Sequence, residues 1–155
     1  MALPQRSDSV ADTTGKRRSP LAALRWVAVV GALVGAVLYS NWLLEIAFTR
    51  MLPDPDLFIS ELAAADQPHG EWFRGCDLAA AIVLVIAAAA ALVGVRGDRW
   101  STTGWWALGV FALTTGLDST VWMLVCAPSS DAACAAREAS GTVPIGHQLH
   151  LLSSV

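Results

Sequence analysis

Charge is scarce in this sequence. Asp, Glu, Lys and Arg together make up 15% of 155 residues, against roughly 25% in an average soluble domain. That deficit excludes a disordered chain, a coiled coil and a nucleic-acid-binding arm, and it argues against a water-soluble globule. Basic residues do not cluster, and the net charge of -3 gives no footprint for a polyanionic partner such as nucleic acid. Cysteine is also sparse, at three residues without a Cys-x-x-Cys pair, so neither a redox motif nor a zinc ribbon is supported. The chain lacks a phosphate loop, a dinucleotide fingerprint, a Gly-x-Ser-x-Gly elbow and a His-Glu-x-x-His motif, which removes the common signatures of nucleotide-dependent enzymes, serine hydrolases and zinc proteases.

Hydrophobic residues make up 55% of the chain, the mean hydropathy is +0.53, and they come in blocks. A bilayer core about 30 Å thick needs about 20 apolar helical residues. Trp26–Leu44 runs 19 residues without a charge, Leu78–Val95 runs 18 between Asp77 and Arg96, and Gly104–Ala127 runs 24 interrupted only by Asp118. All three are apolar around the whole helix, where a surface helix would show a polar face. A fourth block starts near Val143 and ends at Val155, 13 residues that are too few to cross as a helix. The expectation is an all-α, polytopic transmembrane bundle with three complete spans, at about 26–48, 77–95 and 104–127, and the start of a fourth at about 144–155. The chain is expected to be a piece of a longer protein, because a terminus halfway into lipid leaves a carboxylate and unpaired carbonyls there.

Positive charge sets the expected orientation. Arg6, Lys16, Arg17, Arg18 and Arg25 precede the first span, and Arg96 and Arg99 lie in the short second connection, whereas the longer connections hold only Arg50, Arg74 and Arg137. The positive-inside rule then puts the N-terminus in the cytoplasm and the acidic loop Thr49–Gly75 outside. The first span is too long for a leader peptide and no small-x-small site follows it, so Arg17-Arg18 reads as a topology signal. Residues 1–20 read as a disordered cytoplasmic tail and residues 21–155 as one membrane domain. Arginine outnumbers lysine nine to one and alanine is abundant, which suggests a GC-rich bacterial genome.

Candidate functional residues follow from cost. Gly31 and Gly35 form a Gly-x-x-x-Gly pair that lets another backbone approach, either the Ala-rich second span or a second copy of the chain. Asp118 is the one ionisable residue well inside a span, nine residues or about 14 Å from its expected outer end. At about 2.5–3.5 kcal/mol for Asp at a helix centre, it should face the bundle and have partners, with Thr114, Thr115, Ser153 and Ser154 as candidates. Ser40, Asn41, Glu45 and Asp77 gather with it on the outer side. His147 and His150 share a helix face and could hold zinc if Asp118, Asp77 or His69 supplied a third ligand. No other cofactor is expected. Cys126 and Cys134 are candidates for a disulfide at the outer face. In the outer loop, Asp56 is a candidate N-cap for a short helix over 57–65.

Several of these elements carry a resemblance. The span ending Ser40-Asn41-Trp42, the stretch Ile59-Ser60-Glu61-Leu62-Ala63-Ala64 and Pro68-His69 before Trp72-Phe73-Arg74 resemble the bacterial membrane family known as domain of unknown function 998. Asp118, Cys126-Ala127-Pro128-Ser129, Cys134, His147 and His150 extend the likeness from about Trp26 to Val155. It implies a small multi-span helical protein and brings no established activity. The layout is more distantly similar to the Frag1/DRAM/Sfk1 membrane proteins. Three function classes stand beside each other. The first is a non-catalytic integral membrane protein. The second is an intramembrane metal-dependent hydrolase acting on a lipid or lipid-linked group, with His147 and His150 on the metal and Asp118 or Asp77 as catalytic acid or base. The third is a small transporter or channel component using Asp118.

Overall fold

The computed structural model describes residues 20–44 and 58–153. Among them there are helices and no strand. The expected tail over 1–20 (bar Pro20), the Asp56 cap, Glu45 and Ser154 lie outside the described residues.

Helix α1 spans Pro20–Tyr39, with Pro20 at the first position, where its missing N–H would have had no helical partner. It ends earlier than its apolar run, at Tyr39 rather than Leu44, because Ser40 and Asn41 turn back on the last carbonyls. Ser40 Oγ donates to Ala36 O at 2.8 Å and Asn41 Nδ2 to Leu38 O at 2.9 Å, which satisfies acceptors that a continuing helix would have used. Helix α2 (Gly70–Gly94) runs antiparallel beside it, and α3 (Arg99–Asp118) packs against α2 and also meets α1, where Trp105 reaches the Ala28 cluster and Phe111 meets Tyr39. Asp98 starts α3 as an N-cap, accepting from Ser101 N at 2.9 Å.

Small side chains set the seam between α1 and α2. A Cβ on Gly31 would stand 2.9 Å from the Ala87 Cβ, one on Gly94 would stand 2.6 Å from the Leu24 Cβ, and one on Gly35 would overlap the Leu84 side chain. The Gly-x-x-x-Gly face is therefore occupied from within the chain. Ala80, Ala87 and Ala91 of α2 have no exposed surface, and Gly116 of α3 approaches Ala81 in the same way. Arg25 Nε donates to Gly94 O at 3.0 Å, placing a cation on the carbonyl end of α2.

The helices α1 and α2 are long and apolar enough to cross a membrane. Large apolar side chains on the bundle point outward: Leu33 is 63% exposed, Val37 75%, Val93 71% and Val110 57%.

The third apolar run departs from expectation. Within 104–127 the helix stops at Asp118, and 119–131 is irregular. Ser119 Oγ donates to Thr115 O at 2.7 Å and Thr120 Oγ1 to Gly116 O at 2.7 Å, and Trp122 N bonds back to Leu117 O at 2.9 Å. Of the apolar residues beyond, Val121 is exposed, whereas Leu124 and Ala127 are buried and pack with Ala64. Their backbone is satisfied from outside the segment, as a buried irregular strand of chain must be. Ala65 N donates to Leu124 O at 2.9 Å, and Ala127 N donates to Asp66 Oδ2 at 3.2 Å.

Two short helices complete the chain, α4 (Ala132–Ala139) and α5 (Ile145–Ser153). Gly141 at φ 68° lets α4 end in a paired closure: Thr142 N donates to Arg137 O and Gly141 N to Glu138 O, both at 2.9 Å. Cys126 and Cys134 are joined by a disulfide that ties the irregular segment to α4. In the loop before α2, a 3-10 turn over Ile59–Ala63 takes the place of the expected helix. It sits directly on the start of α2. A Cβ on Gly70 would collide with Ala64 O, and Arg74 Nη1 donates to Ala63 O at 2.6 Å.

A candidate polar chamber at one end of the bundle

Where α1, α2, α3 and α5 meet under the 3-10 turn, they enclose an open cavity of about 680 Å³. The chemistry-bearing wall residues come from four neighbouring elements. Asn41 stands at the break after α1, Asp77 two turns into α2, Asp118 at the last residue of α3, and His150 and Ser153 on α5. Tyr39, Trp42, Phe73 and Phe111 supply aromatic wall, and the Tyr39 and Phe111 rings meet edge to face at 5.0 Å.

The hydrogen bonds fix the orientation of one side chain. Asn41 Nδ2 donates both to Leu38 O and to Asp77 Oδ1, each at 2.9 Å. The flipped amide would set its oxygen against two acceptors, so Oδ1 points the other way. That oxygen is buried and has no hydrogen-bond partner among the described residues. Across the chamber, Asp118 Oδ1 accepts from Ser153 Oγ at 2.6 Å and stands 3.5 Å from His150 Nδ1. His150 is 7% exposed, and among the described residues neither ring nitrogen makes a hydrogen bond of sound geometry; the backbone of Trp122 and the His147 ring lie near it as well. The acceptors within reach of the single Ser153 hydroxyl proton are Asp118 Oδ1 and, at 2.9 Å, His150 O, not the imidazole, so Ser153, His150 and Asp118 are not arranged as a nucleophile with its base.

The candidate residues separate into two groups. Asp77, Asp118 and His150 face one cavity. His147 does not join them. It is fully buried, Val125 N donates to its Nδ1 at 3.3 Å, and its Nε2 lies 3.0 Å from Glu138 Oε2. An accepting Nδ1 puts the ring proton on Nε2, which donates to the carboxylate. Both nitrogens are thus engaged in holding α5 to α4 and to the irregular segment. His69 is the exposed N-cap position of α2 and does not line the chamber. Among the described residues no three His, Cys, Asp or Glu side chains converge as a metal site. His147 and His150, three residues apart, face different carboxylates, Glu138 and Asp118.

Sequence reasoning misses Glu138 and the role of Glu61. Glu61 is 2% exposed, and its Oε1 accepts from Ser129 N at 3.2 Å and Ser129 Oγ at 2.9 Å, fastening the 3-10 turn to the irregular segment. Nothing local distinguishes it from the solvated acids of the same loop. No protein-family profile, curated protein or solved structure matches this chain.

Proposed function

We propose that the chain is a multi-pass integral protein of a bacterial cytoplasmic membrane, with its N-terminus inside. In this reading α1, α2 and α3 cross the bilayer, α5 begins a fourth crossing, and the polar chamber opens at the outer side. The observation that carries it is the outward-facing apolar surface along α1, α2 and α3, combined with polar side-chain bonds between distant segments that gather at one end among the described residues, Asn41 to Asp77, Glu61 to Ser129 and Ser153 to Asp118. Lipid covers the first at no cost, and the second lies where water and headgroups begin. Membership of the domain of unknown function 998 family belongs to the same proposal and rests on the motifs that carry the resemblance.

The chamber is read as a binding site in a non-catalytic membrane protein. The metal-dependent hydrolase has less support, because His147 is engaged elsewhere and no ligand set assembles among the described residues. A transporter or channel component would use the same chamber, with Asp118 as the charged wall. A second copy docking on Gly31 and Gly35 has less support, since α2 already lies on them.

Topology is tested by labelling intact cells with a membrane-impermeant maleimide, in a Cys76→Ser background. His69→Cys is expected to label from outside, and Thr102→Cys only after the membrane is permeabilised. The reverse pattern, or recovery of the protein in the soluble fraction after alkaline washing, overturns the proposal.

A further inference from the structure

Charge is divided unevenly between the two ends of the bundle. Among the described residues, the end that holds the polar chamber carries seven acids and two arginines. Both arginines are tied to the protein itself: Arg74 Nη1 donates to Ala63 O, and Arg137 Nη2 to Cys126 Sγ. The opposite end has three arginines and one acid. Each of these arginines is exposed and comes from a different element: Arg25 from α1, Arg96 from the connection after α2, and Arg99 from the first residue of α3. None of them is ion-paired among the described residues, where the ion pairs are His147 with Glu138 and His150 with Asp118. The one acid, Asp98, is engaged as the N-cap of α3 through Ser101 N.

The three cations are brought together by the packing. Arg25 Nε donates to Gly94 O at 3.0 Å, two residues before Arg96, and Arg99 follows three residues on. That bond holds Arg25 by Nε and leaves its terminal nitrogens without an acceptor among the described residues. Arg99 lies over the Trp100 ring, 5.5 Å from its centroid. Directly beside these charges the surface turns apolar: Trp26, Trp100 and Trp106 are exposed, and so is Val93, three residues before Arg96. Nucleic acid or an acidic peptide would neutralise the arginines and leave these apolar groups uncovered. A phospholipid supplies both parts, phosphate oxygens for the guanidinium groups and acyl chain for the rest. Net negative charge on the headgroup matters, because a choline headgroup brings its own cation to the same place. We propose that this end of the bundle is a docking surface for an anionic phospholipid, with Arg25, Arg96 and Arg99 on the headgroup and the exposed tryptophans where the acyl chains begin. The inference rests on the membrane reading above but not on which end is cytoplasmic, since it is measured in a symmetric bilayer.

The experiment places the full chain in phosphatidylcholine vesicles with a trace of spin-labelled phosphatidylglycerol or spin-labelled phosphatidylcholine. Electron spin resonance reads the fraction of each that is motionally restricted at the protein surface. Phosphatidylglycerol should be preferred by about fivefold or more, the factor that one arginine beside an anionic headgroup contributes, and the preference should shrink at high salt. Replacing Arg25, Arg96 and Arg99 together by Gln should bring the two lipids close to parity, whereas replacing all three by Lys should keep most of the preference. Arg74→Gln removes the same charge as any one of these substitutions, at the other end, and should leave the preference unchanged. Circular dichroism establishes that each variant keeps its helix content. Insertion is read separately, by resistance to alkaline washing. A chain that washes out of the vesicles defeats the membrane reading and this inference with it; an inserted wild type that restricts both lipids equally defeats this inference alone. A preference that survives the glutamine variant, that is lost in the lysine variant, or that falls as far in Arg74→Gln as in Arg96→Gln also overturns the proposal.

Discussion

Where Gly94 of α2 meets Leu24 of α1, the bundle is held by the close approach of small apolar groups, with one hydrogen bond from Arg25 added. At the opposite end, where Asn41 meets Asp77, the chain breaks its helices and is held by side chains bonded to distant backbone: Glu61 to Ser129, Asp66 to Ala127, His147 to Val125. The first arrangement suits a medium in which helices gain nothing from hydrophobic association and must pack tightly instead. The second suits a region where irregular backbone is tolerated because neighbouring groups satisfy it. The difference teaches that one end acts as a scaffold and the other as a built polar structure, and that their responses to mutation should differ.

The sharpest break in the comparison is expected at the scaffold. Leucine at both Gly31 and Gly35 drives side chains into Ala87 and Leu84. It should cost about 3 kcal/mol of unfolding stability, the usual scale of overpacking, read as a fall in thermal midpoint in micelles. The next effect belongs to the polar end. Replacing Cys126 and Cys134 together by Ser opens a short covalent loop and should cost about 2.5 kcal/mol, and added reductant should reproduce the loss in wild type and not in the variant. Glu61→Ala strands the Ser129 N–H and hydroxyl and should cost about 2 kcal/mol, whereas Glu61→Gln keeps an acceptor and should cost less than half of that. Amide hydrogen exchange should show the Glu61→Ala loss confined to 119–131. The smallest effect is expected from Asp98→Ala, which removes only the cap of α3, about 1 kcal/mol by the same thermal measurement.

The same division explains what the sequence makes legible. Helices α1 and α2 follow from uninterrupted apolar runs, and the Gly and Ala positions that join them follow from size alone. Segment 119–127 is not legible, because an apolar run reads alike whether it is helical or buried as irregular chain. What separates the two is the hydroxyl bonding of Ser119 and Thr120 and the donors and acceptors brought by Ala65, Asp66 and His147, which are tertiary facts. At the site, Asp77, Asp118 and His150 are legible as polar groups at the same end of neighbouring helices. The partner of His147 is not, since Glu138 reaches it only after α4 closes at Gly141 and folds back.

In the proposed topology lipid covers the exposed side chains of α1. The direct measurement places a nitroxide at Leu33, in a Cys76→Ser background, with the protein in lipid nanodiscs. Collision rates with oxygen and with a water-soluble nickel chelate are then compared. Frequent collision with oxygen and little with the chelate is the predicted result; ready access of the chelate to Leu33 would contradict it.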